Sequence, residues 1–387
     1  MFPLLLLLLP LLLALLPPLF RLAQGLDAEW VRYIENALTF LVISCPCALV
    51  ISVPLGFFGG MGGASTRGVL LKGSTGIEAL AETRCVVFDK TGTLTRGEFE
   101  VIGERSETGV TRERLLELAA LAESWSNHPI SRSLVEAAGS PDAKSRVTDA
   151  HEEQGGGVSA VVDGLHVSAG NRRYMAKLGI DCTDPEDAGT VVHVAAEGAY
   201  LGCILLADAP KANSKAAIEA VEALGAHTVM LTGDSEKAAA LAAKTLGISE
   251  YRAGLLPGGK VEALEELLKS TDGKVAFVGD GVNDAPVLAR ADVGVAMGAL
   301  GSDAAIEAAD VVIMDDDPAK LPLAIRLSRR CMRIVRSNIA FAIGVKFAFL
   351  VLGALGIVGM SLAIFADVGV MVLAVLNSMR TLRVKHL

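Results

Sequence analysis

Asp89 ends a short apolar run, Cys85-Val86-Val87-Phe88, and opens a turn rich in hydroxyls, Lys90-Thr91-Gly92-Thr93-Leu94-Thr95. The run reads as a buried strand. A carboxylate at its end, held by backbone donors beside a lysine, suits in-line attack on a phosphoryl group to give an aspartyl-phosphate. Two later runs end in the same manner. Thr228 to Leu231 leads into Thr232-Gly233-Asp234, and Val275 to Val278 leads into Gly279-Asp280-Gly281-Val282-Asn283-Asp284. Open parallel α/β sheets gather their sites at such strand ends. Lys260 follows Leu256-Pro257-Gly258-Gly259 at the start of a helical pattern, where its ammonium can neutralise phosphate charge. We therefore expect Asp89 as nucleophile beside Lys90, with Thr232 and Lys260 as phosphate contacts and Gly233 and Asp234 completing the catalytic set. Asp89, Asp280 and the Thr91 carbonyl are expected to bind Mg²⁺, with Asn283 and Asp284 ordering its waters.

A second constellation lies in apolar sequence. Cys45-Pro46-Cys47 sits in the middle of the run 37–58. Proline breaks a helix there and frees backbone carbonyls, which at membrane depth must face protein or a cavity. Two thiols flanking the break offer soft ligands to a thiophilic ion. Lys346 and Asp367 fall within the runs 339–358 and 361–376, where ionisable groups are costly and face a pathway or one another.

These motifs need a membrane domain and a soluble domain to position them. Hydrophobic residues make up 52% of the 387 residues, and the mean hydropathy is +0.48, yet the apolar residues gather at the two ends. The run 1–20 lacks a basic leader region and an obvious small-residue cleavage site, and its prolines fit a kinked membrane helix better than a signal peptide. Four spans are expected: 1–20, 37–58, 339–358 and 361–376. Basic residues beside the central insert and after the last span place both on the cytoplasmic side. A net charge of −9 and the lack of a basic stretch with interleaved aromatics argue against a nucleic-acid partner. Six cysteines in a chain of this length do not form a disulfide framework.

The seven residues Asp89 to Thr95 resemble the phosphorylation signature of the P-type ATPases. The order Asp89, Thr232, Lys260, Asp280 resembles the haloacid dehalogenase superfamily, and Gly279 to Pro286 narrows it to the same ATPases. Between them, Glu123, Ser126-Asn127-His128-Pro129, Gly155-Gly156-Gly157 and Gly170-Asn171 resemble the nucleotide-binding domain of heavy-metal-transporting members. The resemblance implies that Glu123, His128, Gly155 and Gly157 form the adenine pocket; Trp125 is expected in the core. Cys45-Pro46-Cys47 resembles the ion-binding helix of those members, and Lys346 with Asp367 resembles the Zn²⁺/Cd²⁺/Pb²⁺-exporting subgroup. There the acid joins Cys45 and Cys47 as ligand, and the lysine is a built-in counter-charge.

The implied fold is an α-helical membrane domain of four spans plus a cytoplasmic α/β haloacid-dehalogenase-like phosphorylation domain with an inserted α+β nucleotide-binding domain. The expected boundaries are 1–76 and 326–387 for the membrane part, 77–96 and 203–325 for phosphorylation, and 97–202 for the insert. The implied cofactors are ATP and Mg²⁺, and the implied setting is a bacterial-type plasma membrane. The family also carries an actuator domain with Thr-Gly-Glu, a triplet that does not occur here. Gly258-Gly259 and Lys211 depart from the usual charged residues and arginine. Three readings follow: the C-terminal part of a Zn²⁺/Cd²⁺ pump, half of a split transporter whose actuator is a separate chain, or a membrane-tethered phosphatase.

Overall fold

Apolar residues at both ends of the chain form long helices. A computed structural model describes residues 2–126, 128–143, 145–153, 156–185, 189–280, 284–298, 303–354 and 357–384, with the side chains of 2–9, 303 and 354 excepted. Two units divide the chain, one of Met1–Glu82 with Leu323–Leu387 and one of Thr83–Pro322. In the first, α1 (Phe2–Ala23) is helical through Pro10, Pro17 and Pro18. Helix α2 (Trp30–Ser44) stops at Cys45, which is extended, and α3 (Cys47–Ser65) starts directly after Pro46. Proline has no N–H to donate and fits the first positions of a helix, so the chain breaks between the two cysteines and resumes. A short strand β1 (Val69–Leu71) and helix α4 (Ser74–Ala81) complete this part.

The second unit is built from two sheets. The first is parallel and contains β2 (Thr83–Asp89). The chain then leaves along β3 (Thr95–Ser106) into α5 (Arg112–Glu123), α6 (Pro129–Ala137), β4 (Val147–Glu153), β5 (Gly157–Val162), β6 (Leu165–Gly170), α7 (Arg172–Lys177), β7 (Thr190–Ala196) and β8 (Ala199–Pro210). These six strands form an antiparallel sheet in the order β3-β8-β7-β6-β5-β4. Its strands alternate in burial, as Gly157–Val162 does, because one face meets α5 and α6. Leu115, Leu118, Leu121 and Leu134 from those helices meet Val162, Val167, Ile204 and Leu206 of the sheet. Thr111 caps α5 by accepting from Arg114 N at 3.3 Å.

The chain re-enters the parallel sheet through α8 (Ser214–Ala223), β9 (His227–Leu231), α9 (Glu236–Leu246), β10 (Glu250–Arg252), α10 (Pro257–Ser270), β11 (Lys274–Gly279), α11 (Ala285–Arg290), β12 (Val293–Met297), α12 (Asp303–Ala308) and β13 (Val311–Ile313). Within this unit the order is β13-β12-β11-β2-β9-β10. Every pairing is parallel, with Asp89 opposite Leu231 and Phe88 opposite Val278. The central strands are near-continuous apolar runs because helices cover them; Phe88 and Phe277 are fully buried. Each such side chain contributes about 1.5–3 kcal/mol.

Two more helices return to the first unit, α13 (Lys320–Ala354) and α14 (Met360–Ser378). Among the described residues, three stretches have the length and apolarity to cross a membrane: Trp30–Ser65, Lys320–Gly353 and Met360–Leu382. The described side chains of α1, from Pro10 to Ala23, make a shorter apolar helix. The run expected at 37–58 begins earlier, at Trp30, and ends later, at Ser65. Its glycines do not end the helix, because they are where neighbours approach. A Cβ on Gly56 would lie 2.9 Å from Val335, and one on Gly60 would lie 2.8 Å from the Cys331 sulfur. Small residues at helix contacts permit close packing in lipid. Polar side chains tie the same three helices: Asn338 donates to Ala374 O at 3.0 Å, and Ser378 donates to Ser52 O at 2.8 Å.

Candidate active site and ion site

Asp89, at the end of β2, and Asp280 and Asp284, which follow β11, each offer an oxygen; these oxygens all lie within 4.8 Å of one another. Lys260, in the first turn of α10, donates to Asp89 Oδ1 at 2.7 Å and to Asp284 Oδ1 at 2.9 Å. Burial, and then the neighbouring Asp284 carboxylate, push the Asp89 carboxyl up to about 7, with Lys260 opposing them. Burial alone would lower the Lys260 pKa, but the two carboxylates hold it above the usual lysine value. Gly92 permits this convergence. Its φ is +74°, and an added Cβ would fall 2.4 Å from Asp280 Oδ2. Hard oxygen donors converging in this manner fit Mg²⁺, which takes one or two carboxylates and keeps several waters.

Thr232 is buried and accepts from Asp234 N at 3.1 Å, which leaves its own proton for a phosphate oxygen. Thr91 is exposed, in the turn between Lys90 and Gly92. Asn283 and Gly155, both expected site residues, lie outside the described residues. Lys90 does not approach Asp89 as a partner. Its ammonium pairs with Asp208 at 3.1 Å and with Asp234. Burial opposes that charge, yet the two acids raise its pKa above the usual value.

Asp208 was not singled out in the sequence. It accepts from Thr95 Oγ1 at 2.6 Å and Gly97 N at 3.0 Å, so one buried carboxylate fastens the turn after Asp89 to strand β8. Its signal was an acid at the end of the apolar run Ile204-Leu205-Leu206. Lys211, three residues on, donates to Gly92 O at 2.6 Å and to Asp316 at 2.8 Å.

In the antiparallel half, a cavity of about 240 Å³ is lined by Glu123, His128, Ser131, Gly157, Gly170 and Asn171, among others. Glu123 is buried and accepts from Ser131 Oγ at 2.5 Å. Burial raises its pKa, Ser131 opposes the rise, and Glu152 adds to it. His128 caps α6 through Nδ1, which accepts from Ile130 N at 3.3 Å. Gly157 and Gly170 pass each other so closely that a Cβ on Gly157 would lie 2.3 Å from Ala169 O. The expectation for Trp125 is corrected: it is 64% exposed, because it follows the last turn of α5 and projects beyond the packed face.

In the first unit, Lys346 donates to Asp367 Oδ1 at 2.7 Å, to Ile43 O at 3.2 Å and to Cys45 O. The ammonium thus sits on the carbonyls at the break between α2 and α3. Cys45 and Cys47, the two thiols expected there, are joined as a disulfide. Their Cα atoms are 5.5 Å apart because the break brings them together, a separation typical of a bridge. Thiolate ligation therefore requires the reduced form.

A family model described as haloacid dehalogenase-like hydrolase matches residues 83–292, and the chain belongs to that family. It is 52% identical to a cadmium, zinc and cobalt-transporting ATPase of Bacillus subtilis, over 93% of this chain and 51% of that protein. It is 51% identical to a zinc-transporting ATPase of Synechocystis, over 94% and 50%. A crystal structure of a zinc-transporting PIB-type ATPase in the E2.Pi state matches with a TM-score of 0.86 and 37% identity, covering 98% of this chain and 62% of that one. The chain spans about half the length of the curated relatives it matches.

Proposed function

We propose that this chain is the phosphorylating and ion-binding core of a P-type ATPase that exports Zn²⁺, Cd²⁺ or Pb²⁺ at the expense of ATP. The observation that carries the reading is the convergence of Asp89, Asp280 and Asp284 around Lys260. Asp89 attacks the γ-phosphorus in line, the bond to the β-bridging oxygen breaks, and ADP leaves. Lys260 and the Thr232 hydroxyl hold the transferring group's oxygens. Asp89, Asp280 and the Thr91 carbonyl would hold Mg²⁺, with Asp284 beside them, and the ion would neutralise charge on the phosphoryl oxygens. Asn283 is assigned with them, to a water of that ion. Glu123, His128, Gly155 and Gly157 receive the adenine.

Cys45, Cys47 and Asp367 are assigned to the transported ion, with Lys346 as the charge that replaces it. An ammonium already paired with Asp367 can occupy the place of a departing cation, which keeps the carboxylate from standing alone in a low-dielectric site. We assign α1 as a fourth span, supported by its 22 helical residues. The second unit is assigned to the cytoplasm. Hydrolysis of the aspartyl-phosphate is assigned to an actuator segment or chain beyond these 387 residues. Labelling with γ-³²P-ATP and Mg²⁺, with Asp89→Asn as control, tests the reading. Acid-stable label stimulated by Zn²⁺ or Cd²⁺ under reducing conditions is expected; label stimulated by Cu⁺ and indifferent to Zn²⁺ would refute the cargo.

A further inference from the structure

Four arginines converge on one cavity at the ends of the membrane helices. The cavity, about 850 Å³, is lined by Arg67, Arg330, Arg380, Arg383, Leu382 and Val384, together with Thr66. Arg67 lies two residues beyond α3, Arg330 lies on α13, and the others follow α14. Backbone and amide oxygens hold three of the side chains. Arg67 donates to Val384 O at 3.0 Å, Arg330 to Arg380 O at 3.3 Å, and Arg380 to Asn377 Oδ1 at 2.9 Å. Among the described residues, no acidic side chain forms an ion pair with Arg330, Arg380 or Arg383. Arg336, two turns along the same helix, pairs with Glu82. Steering the topology of a span requires only that basic residues lie somewhere near its end. It does not require four of them to face one hollow, three of them braced by backbone and amide oxygens.

The depth of the cavity follows from helix geometry. Arg330 precedes Lys346 by sixteen positions within α13, about 24 Å along the axis at 1.5 Å per residue. Lys346 lies at the helix break, deep in the membrane domain. A hydrocarbon core of about 30 Å with headgroup layers of several Å beyond it then puts Arg330 at headgroup level. The lining is amphipathic: Leu382 is 52% exposed beside the guanidinium groups. A free phosphate has no use for that apolar wall, whereas a lipid sets its phosphate on the arginines and its glycerol and acyl carbons on the leucine.

We propose that this cavity holds the phosphodiester of an anionic phospholipid from the cytoplasmic leaflet. Basic pockets between membrane helices on that side suit such headgroups. Phosphatidylglycerol fits because nothing covers its charge; the choline of phosphatidylcholine would bring a further cation among four arginines. The assignment does not depend on phosphorylation of Asp89, so the two readings fail separately.

Native mass spectrometry of the purified 387-residue chain in detergent tests it, with dioleoyl-phosphatidylglycerol, dioleoyl-phosphatidylcholine and inorganic phosphate as probes. Phosphatidylglycerol is expected to remain bound where phosphatidylcholine dissociates. At about fivefold per arginine near a membrane surface, Arg330→Gln with Arg383→Gln is expected to weaken its retention about twenty-five-fold, and Lys at both positions to preserve most of it. Millimolar inorganic phosphate is expected not to displace the lipid. Equal retention of the two lipids by the wild-type chain would overturn the proposal without recourse to any variant. Unchanged retention in the double Gln variant would do the same, and displacement by phosphate would assign the cavity to a soluble anion.

Discussion

Lys260 Nζ lies 2.7 Å from Asp89 Oδ1, so the carboxylate assigned to attack phosphorus is already paired with a cation. Replacing Lys260 with Ala is expected to slow phosphorylation about 10²–10³-fold, the range for losing one preorganised donor to a charged transition state. It also removes the influence that opposes burial at Asp89. The acid limb of the rate profile is therefore expected to move to higher pH. A slow variant with an unmoved limb would show that Lys260 serves the phosphate alone.

The same site gives a pH dependence of stability in Mg²⁺-free solution. The folded chain holds the Asp89 proton up to about pH 7, against an unfolded value of about 4. A raised carboxyl stabilises the fold in full below the unfolded value, and that contribution is lost as pH rises through the folded one. Thermal midpoints of metal-free protein are expected to fall between about pH 4 and pH 7, and Asp89→Asn to flatten the slope. Added Mg²⁺ should recover the loss near pH 7, because it binds only the folded site.

Lys346 and Asp367 are each other's countercharge in the membrane helices. Asp367→Leu strands an ammonium and is expected to cost about 3–5 kcal/mol, whereas Lys346→Leu with Asp367→Leu should recover most of it. Both variants are expected to lose metal-stimulated labelling, since neither keeps the carboxylate. A stable single variant would mean that the carbonyls of Ile43 and Cys45 suffice for Lys346.

Cys45 and Cys47 cannot act as two thiolates while bonded to each other. Equilibrium dialysis is expected to show no bound Zn²⁺ at the membrane site in oxidised protein, and one equivalent after reduction by a phosphine. Binding that is indifferent to the reductant would move the ligand set elsewhere.

Gly157→Ala places a methyl 2.3 Å from Ala169 O and 2.7 Å from the Tyr174 ring. Overpacking of this kind costs about 1–3 kcal/mol. Because β5 and β6 meet at the wall of the Glu123 cavity, the KM for ATP is expected to rise with little change in the rate at saturating ATP. A fall in that rate at unchanged KM would detach Gly157 from nucleotide binding.

The residues legible in the sequence were those at strand ends. Asp89, Thr232 and Asp280 each follow an apolar run, and burial on both faces of a parallel sheet requires such runs. Asp208 was not legible: it closes a strand of the antiparallel sheet, and its partners Thr95 and Lys90 are more than a hundred positions earlier. Ser131 was equally silent, since a serine on a helix reads as surface until the packing of α6 on α5 turns it toward Glu123. The early start of the second apolar helix was hidden by Arg32 and Glu35, and its late end by glycines that pack instead of ending the helix.

Strands β3 and β8, by which the chain leaves and rejoins the parallel sheet, are antiparallel neighbours, with Thr95 opposite Pro210. The host fold therefore meets the 114 residues between those positions as a single hairpin whose two feet are already side by side. Whatever is carried on the hairpin adds no gap for the sheet to close. Such an attachment makes the insert an interchangeable cassette: a short turn joining Thr95 to Pro210 should leave the host sheet intact, and the excised piece carries a core of its own.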